Sequence, residues 1–338
     1  MEVIRGWSHQ PFAMTDASCV GEARRFCARA VHGWGWSEED VGRLCIVATE
    51  LGTNLVRHAV HGQLWIAVQP AWQEVELIAL DKGPGMADVQ WSSQDGVSTG
   101  SGSPGTGLGA IGRMANAFDI HSTPEGTVCL VRVSGTGRTV PARRWGAASI
   151  AAPGETVCGD AWAVAVDKNQ LAAVVVDGLG HGPHASLAAQ AALDTFAAAP
   201  FAPLGQLLED AHTGLQTTRG AAVFAMRMDD DGAAQLHYAG AGNVTGRIVS
   251  GVFDRSMVTQ HGTVGVQVRK PEITSLDLPS HALALVHSDG IMSRWKPDEI
   301  VPLLRCDAAL IAAALLWRQA RGRDDATVLV VKQGGALE

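Results

Sequence analysis

The chain has 338 residues, and at roughly 150 residues per domain this length predicts two domains. Hydrophobic residues make up 46% and charged residues 18%, which excludes wholesale disorder. The formal charge of −8, from 34 acidic and 26 basic side chains without a long basic block, argues against nucleic acid as an obligatory partner. Six cysteines (Cys19, Cys27, Cys45, Cys129, Cys158, Cys306) stand far apart with no C-x-x-C pair, and read as reduced, buried thiols. The longest apolar stretch, Ala308 to Trp317, falls short of the about 20 residues a bilayer requires, and no basic-then-apolar signal pattern opens the chain. A cytoplasmic protein without a membrane partner is expected. Composition leaves its oligomeric state open.

In chain order, Ser37 with Asp40 three residues on can cap a helix, and Val41, Leu44, Cys45, Ala48, Leu51 and Leu55 continue at helical spacing. Strands are predicted at Leu64 to Gln69 and Val75 to Leu80. A Gly/Ser loop follows, from Gly100 to Gly109, then a helix from about Leu108 to Phe118 and a strand at Thr127 to Val133. This is an α+β layer sandwich. Gly, Ser, Thr and Arg crowd Ser134 to Arg144, so domains are expected at 1–136 and 145–338 with 137–144 as linker. The second half opens on strands Trp162 to Asp167 and Leu171 to Val176, joined by a turn through Lys168, Asn169 and Gln170. An Ala-rich helix starts near Pro183. Strand-like runs at Ala221 to Met228, Gln235 to Ala239, Thr245 to Val249, Ala282 to His287 and Thr327 to Lys332 suggest sheet packed on sheet.

On the first long helix, Glu50, Asn54 and His58 recur every four residues beside Arg57, on one face next to the apolar stripe. Alone they read as a solvated polar face. Asp81-Lys82-Gly83-Pro84-Gly85 ends a strand, where a carboxylate can accept from a base amine and glycines let the backbone approach a flat ring. Gly105-Thr106-Gly107-Leu108-Gly109 opens a helix whose free N–H groups suit an anion. Gly107 to Gly112 also spells G-x-G-x-x-G, but a Gly/Ser loop rather than a strand precedes it, so the dinucleotide reading fails. The order E-x-x-x-N, D-x-G-x-G, G-x-G-L-G and a closing Gly126-Thr127 resembles the GHKL ATP-binding superfamily. The string from Glu50 to Ala59 resembles its anti-sigma and stressosome-type serine kinases, RsbT-like and RsbW-like, over about Ser37 to Val133. That resemblance implies a Bergerat-type α/β sandwich in which Asn54 ligates magnesium on ATP, Asp81 binds the adenine amine, and the loop with Gly105, Thr106, Gly107, Leu108 and Gly109 closes over the phosphates. Glu50 would be the base, with Arg57, His58, Gly83, Gly85 and Thr127 lining the nucleotide.

In the second half Asp160, Asp177, Asp289 and the pair Asp324-Asp325 sit where strands are predicted to begin or end. Each alone reads as a turn. Together, such hard oxygen ligands could hold two magnesium or manganese ions about 4 Å apart and activate water toward a phosphate ester. Cys19 and Arg25 match the C-x5-R spacing of cysteine phosphatases, but on a predicted helix without a glycine cradle the match is chance. His181 and His184 lack a third zinc partner, and Gly180-x-Gly182-x-x-Ala185 lacks the second parallel strand of a Rossmann unit. Asp177-Gly178-Leu179-Gly180-His181-Gly182, Ser288-Asp289-Gly290 and Arg323 to Thr327 resemble the type 2C (PPM) metal-dependent phosphatases in their SpoIIE branch. Gly240 to Val244 resembles its RsbX-like members, and the likeness spans about Trp145 to Lys332. The resemblance implies an α-β-β-α sandwich, with Asp177 bridging two metals, the Gly178 carbonyl on one, Asp160 on the other, and Asp289 and Asp324 completing the set. Asp325 stands behind them. Ala161 follows Asp160 where the family often has an aromatic residue.

Both resemblances together imply a bifunctional partner-switching regulator. An ATP-dependent serine kinase-like domain and a Mn/Mg-dependent serine/threonine phosphatase would act on a STAS-type phosphoprotein, with other stressosome or sigma-regulatory proteins as further partners. In the alternative, the first domain binds ATP and regulates without transferring phosphate. A third reading makes the second domain an inactive scaffold.

Overall fold

A computed structural model of the chain describes residues 1–86, 107–138, 143–168, 170–229, 235–279 and 281–333. It divides into two compact units, His9–Ala142 and Met1–Ser8 with Arg143–Glu338. The opening strand β1 (Glu2–Arg5) thus belongs to the second unit.

The first unit runs β2 (Gln10–Ala13), α1 (Ala17–Ala30), α2 (Glu38–His58), β3 (Gln63–Gln69), β4 (Glu74–Leu80), α3 (Gly107–Met114), β5 (Ala117–Thr123) and β6 (Gly126–Ser134). Its strands form one antiparallel sheet in the order β2-β3-β4-β6-β5. Alternation along β4 sends Val75, Leu77 and Ala79 into a core with Leu44, Ala48 and Leu51 of α2. Glu76 points the other way, fully buried, and accepts from Arg132 Nε at 2.7 Å with His9 Nε2 at 3.2 Å. Such a buried carboxylate requires these partners.

The expected cap of α2 forms. Ser37 Oγ accepts from the Asp40 N–H at 3.1 Å and donates to the Asp40 carboxylate at 2.8 Å. That carboxylate also accepts from Arg43 (2.9 Å) and from the Thr136 N–H (3.1 Å) and hydroxyl (2.6 Å), tying the start of α2 to the chain beyond β6. The helix expected to reach Phe118 stops at Met114. There the Asn116 N–H donates to the Arg132 carbonyl (2.8 Å) and its side chain accepts from the Ser134 N–H (2.8 Å), so pairing with β6 replaces the helical ladder. Phe118 and Ile120 alternate into the core as strand residues.

The second unit continues with β7 (Trp145–Ile150), β8 (Asp160–Asp167), β9 (Gln170–Gly178), α4 (Pro183–Ala198), α5 (Leu204–Gly214), β10 (Ala221–Asp229), β11 (Gln235–Ala241), β12 (Thr245–Val249), β13 (Asp254–Met257), the short ribbon β14 (Gly262–Thr263) and β15 (Gln267–Val268), β16 (Thr274–Asp277), β17 (Leu283–His287), α6 (Ala308–Gln319) and β18 (Ala326–Lys332). A six-stranded sheet, β1-β8-β9-β10-β11-β16, and a five-stranded sheet, β13-β12-β17-β18-β7, touch through β8 and β18. Helices α4 and α5 cover the outer face of the first sheet, and α6 packs on β7 and β18. The result is an α-β-β-α sandwich. The long apolar run is α6, buried over 308–316, and Gly146 lets it approach so closely that a Cβ there would overlap the Ala309 backbone. Among the described residues no helix is long and apolar enough to cross a membrane. Asn169, in the expected β8–β9 turn, lies outside them.

The sequence reading also placed residues 1–8 in the first domain, whereas the structure groups them with the second unit. β1 pairs antiparallel with β8, Glu2 opposite Val166 through Arg5 opposite Ala163. Trp7 stacks edge-on against Trp162 at 4.8 Å and lies 6.1 Å from Trp145, and the Trp162 indole donates to the Trp7 carbonyl at 3.1 Å. A four-residue strand carries too little pattern to announce itself; its partner decides its place.

Removing residues 1–8 is expected to weaken amide protection in β8 and leave that of β3 and β4 intact, as read by hydrogen exchange on the truncated chain. The hydrogen bonds to Asp40 hold its carboxyl well below the usual carboxylate range against the opposing effect of burial. Because the folded state binds this proton less readily than the unfolded chain, its stabilisation is complete above about pH 5 and is lost as pH falls through about 4 and below. Asp40→Ala should cost about 2 kcal/mol at neutral pH, measured from α2 amide protection, and flatten its acid dependence.

Candidate functional sites

In the first unit, α2 presents Glu50 and Asn54 to the start of α3. A Cβ on Gly107 would stand 3.2 Å from Glu50 Oε2 and 3.5 and 3.6 Å from the Asn54 amide nitrogen and oxygen. These three residues therefore converge, with Leu108 and Gly109 in the first turn of α3 beside them. At the end of β4, the Gly83 N–H donates to Asp81 Oδ1 at 2.6 Å, and the Asp81 N–H donates to the Thr127 carbonyl at 3.0 Å. Burial pushes the half-buried Asp81 carboxyl up. Gly85 has φ +69°, and a Cβ there would run into the Thr123 carbonyl, so only glycine fits. Thr127 Oγ1 pairs with Ser122 Oγ at 2.8 Å, and that hydroxyl accepts from the Met86 N–H at 2.8 Å. Arg57 and His58 are exposed, while the His58 carbonyl approaches Gly83. Gly105 and Thr106, with most of the expected phosphate loop, lie outside the described residues.

In the second unit, pairing of β8 with β9 sets Asp160 directly opposite Asp177. The Gly178 N–H donates to the Gly159 carbonyl at 3.2 Å, and a Cβ on Gly178 would overlap the Ala185 backbone, so this end of the hairpin packs tightly under α4. Asp160 is buried, and its Oδ2 accepts from Ser288 Oγ at 2.6 Å; that hydroxyl accepts in turn from the Thr327 N–H at 3.0 Å. Beyond β17, Asp289 Oδ2 accepts from Asn243 Nδ2 at 2.5 Å. Before β18, the Asp325 N–H donates to Asp324 Oδ1 at 3.0 Å, and Asp325 Oδ1 accepts from the Ala152 N–H at 2.9 Å.

The electrostatics join these carboxylates. Burial, then the charge of Asp177, pushes Asp160 well above the usual carboxylate range. Burial, followed by Asp289, Asp324 and Asp325, pushes Asp177 up to about 7. Like charges gathered in a partly buried place favour proton uptake unless a cation joins them. Among the described residues no three His, Cys, Asp or Glu side chains form a ready cage. Asp160 and Asp289 instead use one oxygen each on Ser288 and Asn243. Asp325 Oδ2 is buried without a hydrogen-bond partner among the described residues. Carboxylate donors, the mutual repulsion and this orphaned oxygen fit hard divalent cations. His181 is held by Glu155, with Nδ1 2.7 Å from its Oε1. Cys19 and Arg25 lie on α1, as expected of a chance match.

A family model described as a histidine kinase-like ATPase domain matches residues 13–133, and one described as stage II sporulation protein E (SpoIIE) matches residues 167–333. The chain joins a GHKL kinase-like domain to a PPM-type phosphatase domain. Serine/threonine-protein kinase RsbT of Bacillus subtilis (strain 168) is 29% identical over 142 residues, covering 39% of this chain and 98% of that protein. A solved structure of the bacterial stressosome, described as a modular system adapted to control secondary messenger signalling, contains a chain with TM-score 0.52 and 28% identity. It covers 55% of this chain and 97% of its own length. RsbX in complex with magnesium aligns with TM-score 0.49 and 19% identity over 55% of this chain and 92% of that one.

In the phosphatase domain the sequence reading missed Asn243 and Ser288 as partners of the aspartates, although both stand inside strings that carried the resemblance. Glu155 gave no signal, because a lone surface glutamate is invisible until the fold brings a histidine to it. In the kinase-like domain Ser122 was missed for the same reason.

Proposed function

We propose that the chain is a partner-switching regulator with opposed activities, writing and erasing phosphate on a serine of a STAS-type protein. The pairing of Asp160 with Asp177, next to Asp289 and Asp324, carries the phosphatase half of this reading. Asp177 would hold both ions of a magnesium or manganese pair, with the Gly178 carbonyl on one, Asp160 on the other, and Asp289 and Asp324 completing the set. When bound, such ions neutralise the carboxylates and supply Lewis acidity toward a phosphate ester. Ser288 fixes the Asp160 carboxylate and Asn243 that of Asp289, so both ligands are oriented by hydrogen bonds to other elements. Asp325, anchored by the Ala152 N–H, supports the set from behind.

In the kinase-like domain, Asp81 would accept from the adenine amine and Asn54 would hold the magnesium of ATP, with Gly107, Leu108 and Gly109 beside the phosphates. Gly105 and Thr106 would complete that cradle, and Arg57, His58, Gly83, Gly85 and Thr127 the remainder of the nucleotide site. Glu50 stands close to Asn54 and Gly107, where it would take the proton of an incoming serine hydroxyl as phosphoryl transfer proceeds. Similarity to RsbT supports this half. Other stressosome or sigma-regulatory proteins are the expected further partners.

Asp177→Asn and Asp289→Asn should each lower manganese-dependent hydrolysis of p-nitrophenyl phosphate by about 10³-fold, ~4 kcal/mol in barrier, without shifting the thermal unfolding midpoint downward. Unchanged turnover in both would remove the metal assignment. With γ-labelled ATP and a STAS-type acceptor protein, wild type should label the acceptor, and Glu50→Gln should slow labelling by about 10²-fold or more while nucleotide binding persists. An unlabelled acceptor with intact nucleotide binding would instead make the first domain a binding module.

A further inference from the structure

Pairing of β10 with β9 sets Ala222 opposite Asp177 and Ala221 opposite Gly178. The two chains stay together past the strand ends, since the Leu179 N–H donates to the Gly220 carbonyl at 3.0 Å. Arg219 therefore lies beside the turn that begins at Gly180 (φ +88°). A Cβ on Gly180 would stand 3.3 Å from Arg219 Nη1, so the glycine leaves room for the guanidinium against the turn. Arg219 is exposed and makes no hydrogen bond or ion pair among the described residues. Glu155, which reaches Gly182 in the same turn, is engaged by His181 at 2.7 Å. Two exposed apolar side chains flank the cation. Leu179 is 54% exposed and Val266 is 63% exposed, and a Cβ on Gly220 would come within 2.9 Å of Val266 Cγ2. Val266 sits in the turn of the β14–β15 ribbon, which is firmly held: buried Val264 exchanges both backbone hydrogen bonds with Ala221 at 2.9 Å, and the Gly265 N–H donates to His212 Nδ1 at 3.0 Å. Stability gives no reason for an unpaired guanidinium fixed at this spot.

We infer that Leu179, Arg219 and Val266 form the docking surface for the segment that carries the phosphoserine, and that Arg219 takes a carboxylate side chain of that segment. The inference rests on the phosphatase reading of the Asp177 centre. Gly180 stands three residues beyond Asp177, hence within about 10 Å of it along the chain. In an extended segment each residue advances by about 3.3 Å, so a side chain two or three positions from the phosphoserine covers the same span. The occupant is therefore an extended phosphoseryl segment with an acidic residue at that spacing. A guanidinium meets a carboxylate through two parallel N–H donors, a geometry that no neutral side chain reproduces. Leu179 and Val266 would keep water from the pair and so strengthen it. A basic segment would bring like charge to Arg219 and be rejected.

The full chain is assayed with manganese on phosphoseryl peptides that differ only at the positions two and three residues to either side of the phosphoserine, where they carry glutamate, glutamine or lysine. Wild type should favour the glutamyl peptide over the glutaminyl one by about tenfold in kcat/KM, chiefly through KM. Arg219→Gln should erase that preference, and Arg219→Glu should turn it toward the lysyl peptide. Both variants should hydrolyse p-nitrophenyl phosphate, which has no flanking side chains, within about twofold of wild type and keep its thermal unfolding midpoint. Val266→Ser should raise KM about threefold for every peptide. A wild type indifferent to flanking charge, or an Arg219→Glu chain that still prefers glutamate, would overturn the inference. So would an Arg219→Gln loss as large on p-nitrophenyl phosphate as on the glutamyl peptide, which would give the guanidinium to the phosphoryl group instead. A wild type silent on every substrate would overturn the phosphatase reading itself, and this inference with it.

Discussion

Asp160 and Asp177 face each other across one antiparallel hairpin because β8 and β9 pair in a single register. A slip of one residue would turn one of the two to the opposite face of the sheet. Both faces of the hairpin are apolar and buried, and its register sets Ala161, Ala163 and Ala165 opposite Val176, Val174 and Ala172 in the core shared with α4. The packing of a hydrophobic face thereby imposes a juxtaposition of like charges that the hairpin alone would avoid. Burial and repulsion raise both carboxyls, so the folded chain carries a standing electrostatic deficit at one place. A divalent cation bound there would relieve it.

Around that deficit the remaining polar groups are arranged rather than scattered. Ser288 Oγ stands between Asp160 and the Thr327 N–H, and Thr327 Oγ1 pairs with Ser149 at 2.8 Å, so a chain of hydroxyls links the two sheets behind the carboxylates. Such a network holds the Asp160 carboxylate at a fixed angle, which matters more for a ligand than for stability. The glycines next to the aspartates serve the same end. A Cβ at Gly290 would overlap the Asp325 carbonyl, and one at Gly159 would stand 2.6 Å from Asp325 Oδ2. Backbone and carboxylate therefore approach more closely than any other residue type would allow.

Both folds were legible in the sequence, and for different reasons. The α2 cap announced itself through Ser37 and Asp40, and the strands β3, β4 and β6 through alternation and β-branched residues, because local chemistry decides those elements. The aspartates were legible as a set, since each precedes or follows a strand. What the sequence hid was decided at long range. Strand β5 lost its first residues to a predicted helix because only pairing with β6 distinguishes Phe118 from a helical residue. Glu155 and Asn243 acquire roles through contacts 26 and 46 residues away, to His181 and Asp289. No spacing rule reaches that far.

The place of β1 has a consequence for how the two domains are joined. Residues 1–8 complete the edge of the six-stranded sheet, and the chain returns to that unit only at Arg143. The kinase-like domain is therefore an insertion within the phosphatase fold, connected at Ser8–His9 and again at Ala142–Arg143. The edge strand β1 and Trp7, packed on Trp162, therefore belong to the fold of the phosphatase domain although they precede the kinase-like domain in the chain. Within the kinase-like domain, the Asp40 carboxylate binds Thr136 just beyond β6 and anchors it to the first turn of the helix that carries Glu50 and Asn54. The residues proposed for nucleotide binding and the chain just beyond β6 thus meet on one helix.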